Sequence, residues 1–318
     1  MRPDVLRVAN GKWPSILINL GCSEQSMSGK HAPCPVCGGK DRFRVMQLGE
    51  AMKWVCTHCG TGDGMNLAME ILSCDFEAAA NKIRPIVGQA DYAQAPKKPD
   101  QQKIRRQRHK NMEMWRAATD RDVVRDYMNL RGLPRDAYNL SDLRGGSFQY
   151  YSKDGKYIDD RPAMVARVTT PLGRNSCLHR TYIKDGSWEK KITPTSGPWT
   201  GGAIRLFRVK PEDKVLIIAE GIETVLAARW MLKERSGKFV PAWATVNANG
   251  MRQFAPPEGI TRVMIMSDND ATYVGQSAAY DLAQRLVVRN GIQADVYVPD
   301  TKGQDWLDVW NNTAMARE

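Results

Sequence analysis

No stretch of this chain comes near the about 20 consecutive apolar residues that a membrane-spanning helix requires. The opening MRPDVLRVANGKWPSILINLG has only a short apolar run and no small-residue cleavage site. It does not read as a signal peptide, so the expected compartment is the cytoplasm, with no membrane partner. No segment is of low complexity and none repeats. No G-x-x-x-x-G-K-[ST] occurs, which excludes a P-loop motor. SGPWTGG at 196–202 is glycine-rich but lacks the Lys-Ser/Thr ending and reads as a turn. Acid is in short supply: 35 Asp and Glu stand against 46 Lys and Arg, a formal charge of +11. That balance favours a polyanionic partner, nucleic acid above all, over a surface that is merely basic and solvated. A disulfide framework is excluded too, because the seven cysteines are odd in number and four of them sit in two CxxC pairs.

The 318 residues allow two or three domains, and 42% apolar with 25% charged residues is the composition of a globular protein. Residues 1–90 hold both CxxC pairs. Residues 91–111, DYAQAPKKPDQQKIRRQRHKN, have almost no large apolar side chains and carry eight Lys, Arg or His. They read as a basic linker running into a helix start, either a solvated face or a nucleic-acid contact. Residues 112–210 begin with helical spacing through MWRAATDRDVVRDYMNLRG, stopped at Gly132. The strand-like runs SFQYY, AMVARVTT, SCLHRTYI, EKKIT and AIRLFRV come next, predicting a mixed α+β region with a partly antiparallel sheet. From 211 the pattern becomes strand KVLIIAEG, helix to about Arg235, strand and turn PAWATVNANG, strand RVMIMSDND, helix GQSAAYDLAQRLVVRNG and strand ADVYVP. Continuous apolar strands alternating with helices predict a parallel α/β sheet covered on both faces.

Cys34 and Cys37 in HAPCPVCGGKDRFR are separated from Cys56 and Cys59 in WVCTHCGTGDG by eighteen residues between the inner pair. This is the spacing of a zinc site made of two knuckles, and four thiolates give a closed tetrahedral site that is structural. His31 and His58 lie close by but lack the knuckle geometry, and Cys22, Cys74 and Cys177 read as core or incidental thiols. Between the knuckles, KDRFRVMQ and MKW are two ribbon strands joined by QLGEA. Phe43 and Trp54, beside Arg42 and Arg44, either stack bases and neutralise phosphates or cover the small ribbon core.

Glu220 ends the strand VLIIA, and Asp268 and Asp270 end the strand VMIMS. Asp is a poor strand residue and is rarely buried without a partner. In open parallel sheets ligands bind beyond the carboxyl ends of the strands. Carboxylates gathered there repel one another unless a cation lies between them, and an all-oxygen set suits Mg2+ or Mn2+. Asp305 and Asp308 in KGQDWLDVW come after the fourth strand and are candidates for the same rim. Each acid alone also reads as a helix cap, and Glu223 as a favourable first-turn charge.

The combination of EG after the first strand, DxD after a later one and a downstream KGQDWLD resembles a Toprim domain, the metal-binding catalytic domain of bacterial primases, topoisomerases and some nucleases. HAPCPVCGGKDRFR and WVCTHCGTGDGMNL resemble the zinc-binding module of phage and plasmid primases. PAMVARV, LHRTYI and SGPWTGGAIRL are similar to the region that precedes Toprim in primases of mobile elements. The likeness spans nearly the whole chain. It implies an α+β multidomain protein: an N-terminal zinc ribbon at 1–90, a basic linker at 91–111, a mixed α+β primase subdomain at 112–210 and a C-terminal α/β Toprim domain at 211–318. It implies that Glu220, Asp268 and Asp270 are catalytic and hold Mg2+ or Mn2+ with Asp305, and, less securely, Asp308. It suggests Arg180, Lys190, Lys191 and Arg205 for a basic cleft that holds nucleotide or template, while Arg42, Phe43, Arg44 and Trp54 of the ribbon remain the template-contact candidates read from the residues themselves.

The implied function is a DNA primase that makes short RNA primers on single-stranded DNA from nucleoside triphosphates. With no P-loop, its replicative helicase would be a separate chain. The alternatives are a Toprim nuclease, whose best-known kind travels with an ATPase domain absent here, and a non-catalytic single-strand-binding accessory protein. A topoisomerase needs additional domains, for which the length is short.

Overall fold

The computed structural model describes residues 5–47, 52–88, 100–152 and 154–315, and the chain divides into two compact units, Met1–Pro99 and Asp100–Glu318. No helix among the described residues is long and apolar enough to cross a membrane.

The first unit opens with three short helices, α1 (Val5–Ala9), α2 (Trp13–Asn19) and α3 (Glu24–Met27). Trp13, Ile16 and Leu17 fall on one face of α2 and are buried, and Pro14 sits in its first turn, where no N–H partner is needed. The ribbon is an antiparallel sheet in the order β1 (Ala32–Cys34), β2 (Gly38–Gln47), β3 (Lys53–Cys56) and β4 (Gly60–Asp63). The loop expected at QLGEA lies outside the described residues from Leu48 to Ala51. Two helices close the unit, α4 (Gly64–Leu72) and α5 (Phe76–Val87). Asp63 caps α4 by a reciprocal pair of bonds with Asn66. A Cβ on Gly64 would meet the Trp13 ring at 2.1 Å, so glycine there lets the helix start lie against the indole.

The second unit begins with α6 (Gln101–Ala117), capped by Asp100, and α7 (Arg121–Leu130), capped by Asp120. The expected linker is therefore helical from Gln101 onward, and residues 91–99 lie outside the described residues. The single helix expected through MWRAATDRDVVRDYMNLRG is two, because the Asp120 side chain takes the N–H groups of Asp122 and Val123 and starts a new helix. Gly132 then stops the chain at φ +71°.

The strands β5 (Leu143–Tyr151), β6 (Tyr157–Thr169), β7 (Asn175–Lys184), β8 (Ser187–Ile192) and β9 (Ala203–Arg205) pair antiparallel. The second half of the unit runs β10 (Val215–Ala219), α8 (Ile222–Ser236), β11 (Ala242–Ala244), α9 (Ala248–Gln253), β12 (Arg262–Met266), α10 (Val274–Asn290), β13 (Gln293–Tyr297) and α11 (Trp306–Met315). The turn expected at VNANG is the start of α9, with Asn247 as its cap. β10 to β13 form a parallel set in the order β13-β12-β10-β11. β9 joins that set to β6, so the segments 112–210 and 211–318 share one nine-stranded sheet. α8 packs into the core on one face with Val225, Leu226 and Trp230. α9 and α10 pack on the other with Met251, Ala279, Leu282 and Leu286.

Candidate active site and zinc centre

β10 leads through α8 to β11 on one side, whereas its neighbour β12 leads through α10 to β13 on the other. The crevice where the connections diverge is the place where open α/β sheets bind ligands. β10 and β12 pair in parallel up to Ala219 opposite Met266. The next residues off the two strands therefore carry Glu220 and, one step later, Asp268 to the same rim.

Glu220, Asp268 and Asp305 line one cavity of about 180 Å3, together with Glu223, Lys190, Arg131 and His179. Asp305 also caps α11: its Oδ1 accepts from the Asp308 N–H at 2.9 Å, while its own N–H donates to Asp308 Oδ2 at 3.0 Å. Asp308 is thus spent on the cap and does not line the cavity. Burial raises the pKa of Glu220 and of Asp305, and Asp270 raises that of Glu220 further. The Asp268 carboxyl is pushed up to about 7, first by burial and then by Asp305, Glu220 and Asp270. Its Oδ1 is buried and accepts no hydrogen bond. A buried carboxylate oxygen without a partner, among other carboxylates, is the donor set of a hard cation. The residues fit Mg2+ on that ground. The carboxylates are nevertheless not drawn into a tight cluster: among the described residues, only the four ribbon cysteines bring three or more ligand atoms within 4.8 Å of one another.

Asp270 behaves differently from its neighbour. Thr272 donates to its Oδ1 from both the backbone N–H (2.8 Å) and Oγ1 (2.5 Å), and the Gly275 N–H reaches Oδ2 at 3.1 Å. Burial works to raise its pKa, but these bonds outweigh it and hold the carboxyl below its ordinary value. It ties the loop before α10 and does not line the cavity, although its charge is felt at Glu220.

The basic residues expected in one cleft are separated by strand alternation. Thr181 pairs with Lys190 and Arg180 with Lys191, so Lys190 faces the cavity while Arg180 and Lys191 face the other side of the sheet. There Arg180 donates to the Tyr182 hydroxyl at 2.6 Å, and Lys191 lies 3.8 Å from the Tyr150 ring centroid. Arg205 is also turned away: Ile204 lines the cavity, and Arg205 stacks 4.5 Å from the Trp243 ring on the opposite face.

Glu223 is fully buried and is the cavity's fixed anion. It accepts the Tyr127 hydroxyl at 2.5 Å and the Lys190 ammonium at 2.8 Å. Burial alone would raise its pKa, but the Lys190 charge and the two donated bonds pull it down to about 2. Arg131 lies over the Trp188 ring at 4.2 Å. His179 is buried, its Nδ1 has no partner, and burial lowers its pKa to about 4. Of these, only Glu223 and Lys190 were candidates from the sequence. Tyr127, Arg131 and His179 come to the cavity through α7 and β7, and local patterning gives no sign of it. Val246 lines the cavity with φ +74°, strained backbone for a β-branched residue, and its N–H donates to the Glu220 carbonyl at 2.9 Å.

In the first unit, the Sγ atoms of Cys34 and Cys59 lie 3.9 Å apart and those of Cys37 and Cys56 lie 3.7 Å apart. A tetrahedral zinc with Zn–S bonds of about 2.3 Å has S–S edges of about 3.8 Å, so the four sulfurs are set for zinc. The N–H of Val36 points at Cys34 and that of His58 at Cys56, each at 3.4 Å, which fixes both knuckles. Each knuckle ends in glycine with positive φ, at Gly38, Gly39 and Gly60. His31 is no ligand; its Nδ1 pairs with the Asp41 carbonyl at 2.8 Å.

Phe43 and Trp54 are buried, with ring centroids 5.8 Å apart, and Trp54 donates to the Asp63 carbonyl. They form the ribbon core and present no free face to a base, so the stacking role considered for them is corrected. Arg42 and Arg44 alternate with them and remain partly exposed, with Arg42 Nη1 3.9 Å from Cys37 Sγ. Cys22 and Cys177 are buried, as core thiols should be, and Cys74 is partly exposed.

Comparison with known families finds a Toprim domain at residues 215–316, a zinc-binding domain of primase-helicase at 29–65 and a domain of unknown function (DUF7146) at 105–206. The chain thus joins a zinc ribbon of the primase-helicase kind to a Toprim domain. Among solved structures it is similar to the primase fragment of the bacteriophage T7 primase-helicase protein, at 14% identity over 91% of this chain and 98% of that one, with a TM-score of 0.36. It is similar to a DNA primase domain from Pseudomonas aeruginosa at 15% identity over 60% of this chain and 69% of that one, with a TM-score of 0.39. The E. coli primase catalytic core matches at 15% identity over 60% and 69% of the two chains, with a TM-score of 0.41. All three likenesses are distant.

Proposed function

We propose that the chain is a DNA primase, which binds single-stranded DNA and nucleoside triphosphates and joins ribonucleotides into a short primer. The observation that carries this reading is Asp268. Its buried, unbonded Oδ1 shares a switch-point cavity with Glu220 and Asp305, across from Lys190 and Arg131, in a chain that also holds a primase-helicase zinc ribbon.

In nucleotidyl transfer the 3′-hydroxyl oxygen attacks the α-phosphorus, the bond to pyrophosphate breaks and the hydroxyl loses its proton. A bound Mg2+ would lower the hydroxyl pKa and offset charge on the phosphates. Glu220, Asp268 and Asp305 are the residues that would hold it. Burial and the neighbouring acids raise the Asp268 pKa to about 7, and a bound cation would favour its ionised form. Lys190 and Arg131 are the cations lining the cavity, and they face the triphosphate charge. Lys190 is aimed there by Glu223, itself fixed by Tyr127. His179 is neutral because it is buried, so it adds polarity to the cavity wall without adding charge. Asp270 supports the loop that carries Asp268. Arg42 and Arg44 are left as the ribbon's contacts to template phosphates.

The test is synthesis of labelled primers by zinc-loaded protein on single-stranded DNA with ribonucleotides and Mg2+. Product is expected from the parent and a loss of at least about 100-fold from Asp268→Ala. No product from the parent would sink the reading. Mg2+-dependent nicking of plasmid without nucleotides would transfer the site to a nuclease.

A further inference from the structure

The first ten residues of α6 include no buried side chain, and they carry Lys103, Arg105, Arg106, Arg108 and Lys110, all exposed. None of the five forms an ion pair among the described residues; the one pair on this helix is His109 with Glu113. The helix is held at its other end. Asn111 donates to the carbonyls of Ser176 and Pro194 at 3.3 and 3.2 Å, and Trp115 is buried with Arg144 and Arg167 over its ring at 4.5 and 4.8 Å. From Trp115 to Asn111 the contacts shift from Leu178 towards Ser176, at the start of β7. The turns before Asn111 therefore run out past that end of the sheet as an arm about 15 Å long.

The arm is electrically costly. Lys103, Arg106 and Lys110 are spaced three and four apart, and Arg105 and Arg108 three apart, so like charges are neighbours on the helix surface. Lys103 sits in the first turn, where the helix dipole disfavours cations. Only Ile104 and Gln107 are half-buried in these turns, so little burial offsets these effects. Residues 104, 107, 111, 114, 115 and 118 mark the ridge facing the body, and the two cation rows flank it on either side.

We infer that this arm binds the phosphodiester backbones of a nucleic-acid duplex, one cation row to each strand. An α-helix fits the major groove of about 12 Å, and only a duplex presents a phosphate wall to both flanks at once. The inference needs nucleic acid as the partner but not nucleotidyl transfer. Its test is a binding experiment, so its failure would leave the primase reading untouched.

The experiment is fluorescence anisotropy of the zinc-loaded full chain with a short labelled DNA duplex and with one of its strands alone, titrated between about 50 and 200 mM salt. Three variants are compared: Lys103→Gln/Arg106→Gln/Lys110→Gln for one row, Arg105→Gln/Arg108→Gln for the other, and a charge-matched control Arg235→Gln/Lys238→Gln/Arg289→Gln from exposed positions elsewhere. Each released phosphate contact changes the slope of log affinity against log salt by about 1. The triple variant should lose about 3 from the duplex slope and at least about tenfold in affinity, the double variant about 2, and the control much less than either. The inference is overturned if the parent does not bind duplex, if the control loses as much as the triple variant, if only one cation row matters, or if the loss is confined to the single strand.

Discussion

Asp268→Asn is the most revealing substitution in the cavity, because it should damage function while strengthening the fold. Asp268 would keep its proton up to about pH 7, owing to burial and to Asp305, Glu220 and Asp270. An ordinary Asp ionises near about 3.9, and each tenfold difference in proton affinity is about 1.4 kcal/mol. Holding this carboxylate ionised at pH 8 without a cation therefore costs about 4 kcal/mol at most. Asn keeps the shape, removes the charge and relieves Glu220 and Asp305, but still buries a polar amide. A net gain of about 2–3 kcal/mol is expected, which for a unit of this size is about 5–10 °C in Tm.

The assay is thermal unfolding of zinc-loaded protein at pH 8, with and without Mg2+. In Mg2+-free buffer the variant should melt above the parent. Adding Mg2+ at about 100 times its Kd should stabilise the parent by about 2.7 kcal/mol and the variant by much less, so the two curves converge or cross. A variant that melts below the parent without Mg2+, or an equal Mg2+ shift in both, would refute the claim that repulsion among these acids is held for a cation.

Three further outcomes are expected from the same geometry. The pH dependence has opposing parts: a carboxyl whose folded pKa is raised to about 7 contributes stability that is present below about pH 4 and lost by about pH 7, whereas burial lowers His179 to about 4, so its contribution grows from about pH 4 to 6.5. Glu220 and Asp305 are raised in the same direction as Asp268, so the parent without Mg2+ should lose stability between about pH 4.5 and 6.5 by urea unfolding, and Asp268→Asn should lose less than the parent there. Glu223→Gln removes the buried partner of Lys190 and should cost about 1–3 kcal/mol, discounted because Lys190 is partly exposed, and should raise the KM for nucleotide more than it lowers kcat. Cys37→Ser, or removal of zinc, should open the ribbon core and shift tryptophan emission to the red, because Trp54 is packed on Phe43 directly behind the knuckles.

The parts of the molecule legible in the sequence are those whose patterns are local. CxxC spacing and the apolar runs of β10 and β12 are of this kind, and both landed where they pointed: four sulfurs at tetrahedral separations, and Glu220 and Asp268 at adjacent strand ends. The direction of a side chain is set by register, and register depends on the pairing partner. Lys190 and Lys191 are indistinguishable in WEKKI, yet pairing of Thr181 with Lys190 sends one to the cavity and the other to the far face. Phe43 and Trp54 looked equally suited to a base or a core, and only burial decides between them. The charge row of α6 was visible, but its freedom depends on where the helix is anchored, through Asn111 and Trp115.

The pair Asp268 and Asp270 shows how far that limit extends. Two carboxylates one residue apart at a strand end suggest a shared cation. The strand ends at Met266, and the Ser267 N–H makes its last ladder bond, to the Tyr297 carbonyl, so strand alternation no longer governs the direction of either acid. Asp270 meets the N–H groups of Thr272 and Gly275 at the entry to α10, where three donated bonds stabilise its charge without any metal. Asp268 meets no donor, so its charge remains uncompensated. The motif thus divides into one acid that fixes the loop and one that the fixed loop presents. Asp270→Asn should weaken the cavity by loosening Asp268, not by removing a ligand, and a longer polar replacement such as Asp270→Glu, unable to repeat the tight turn bonds, should do no better. Mg2+-dependent stabilisation retained in Asp270→Asn but absent in Asp268→Asn would separate the two roles; its loss in both to the same degree would return Asp270 to the metal.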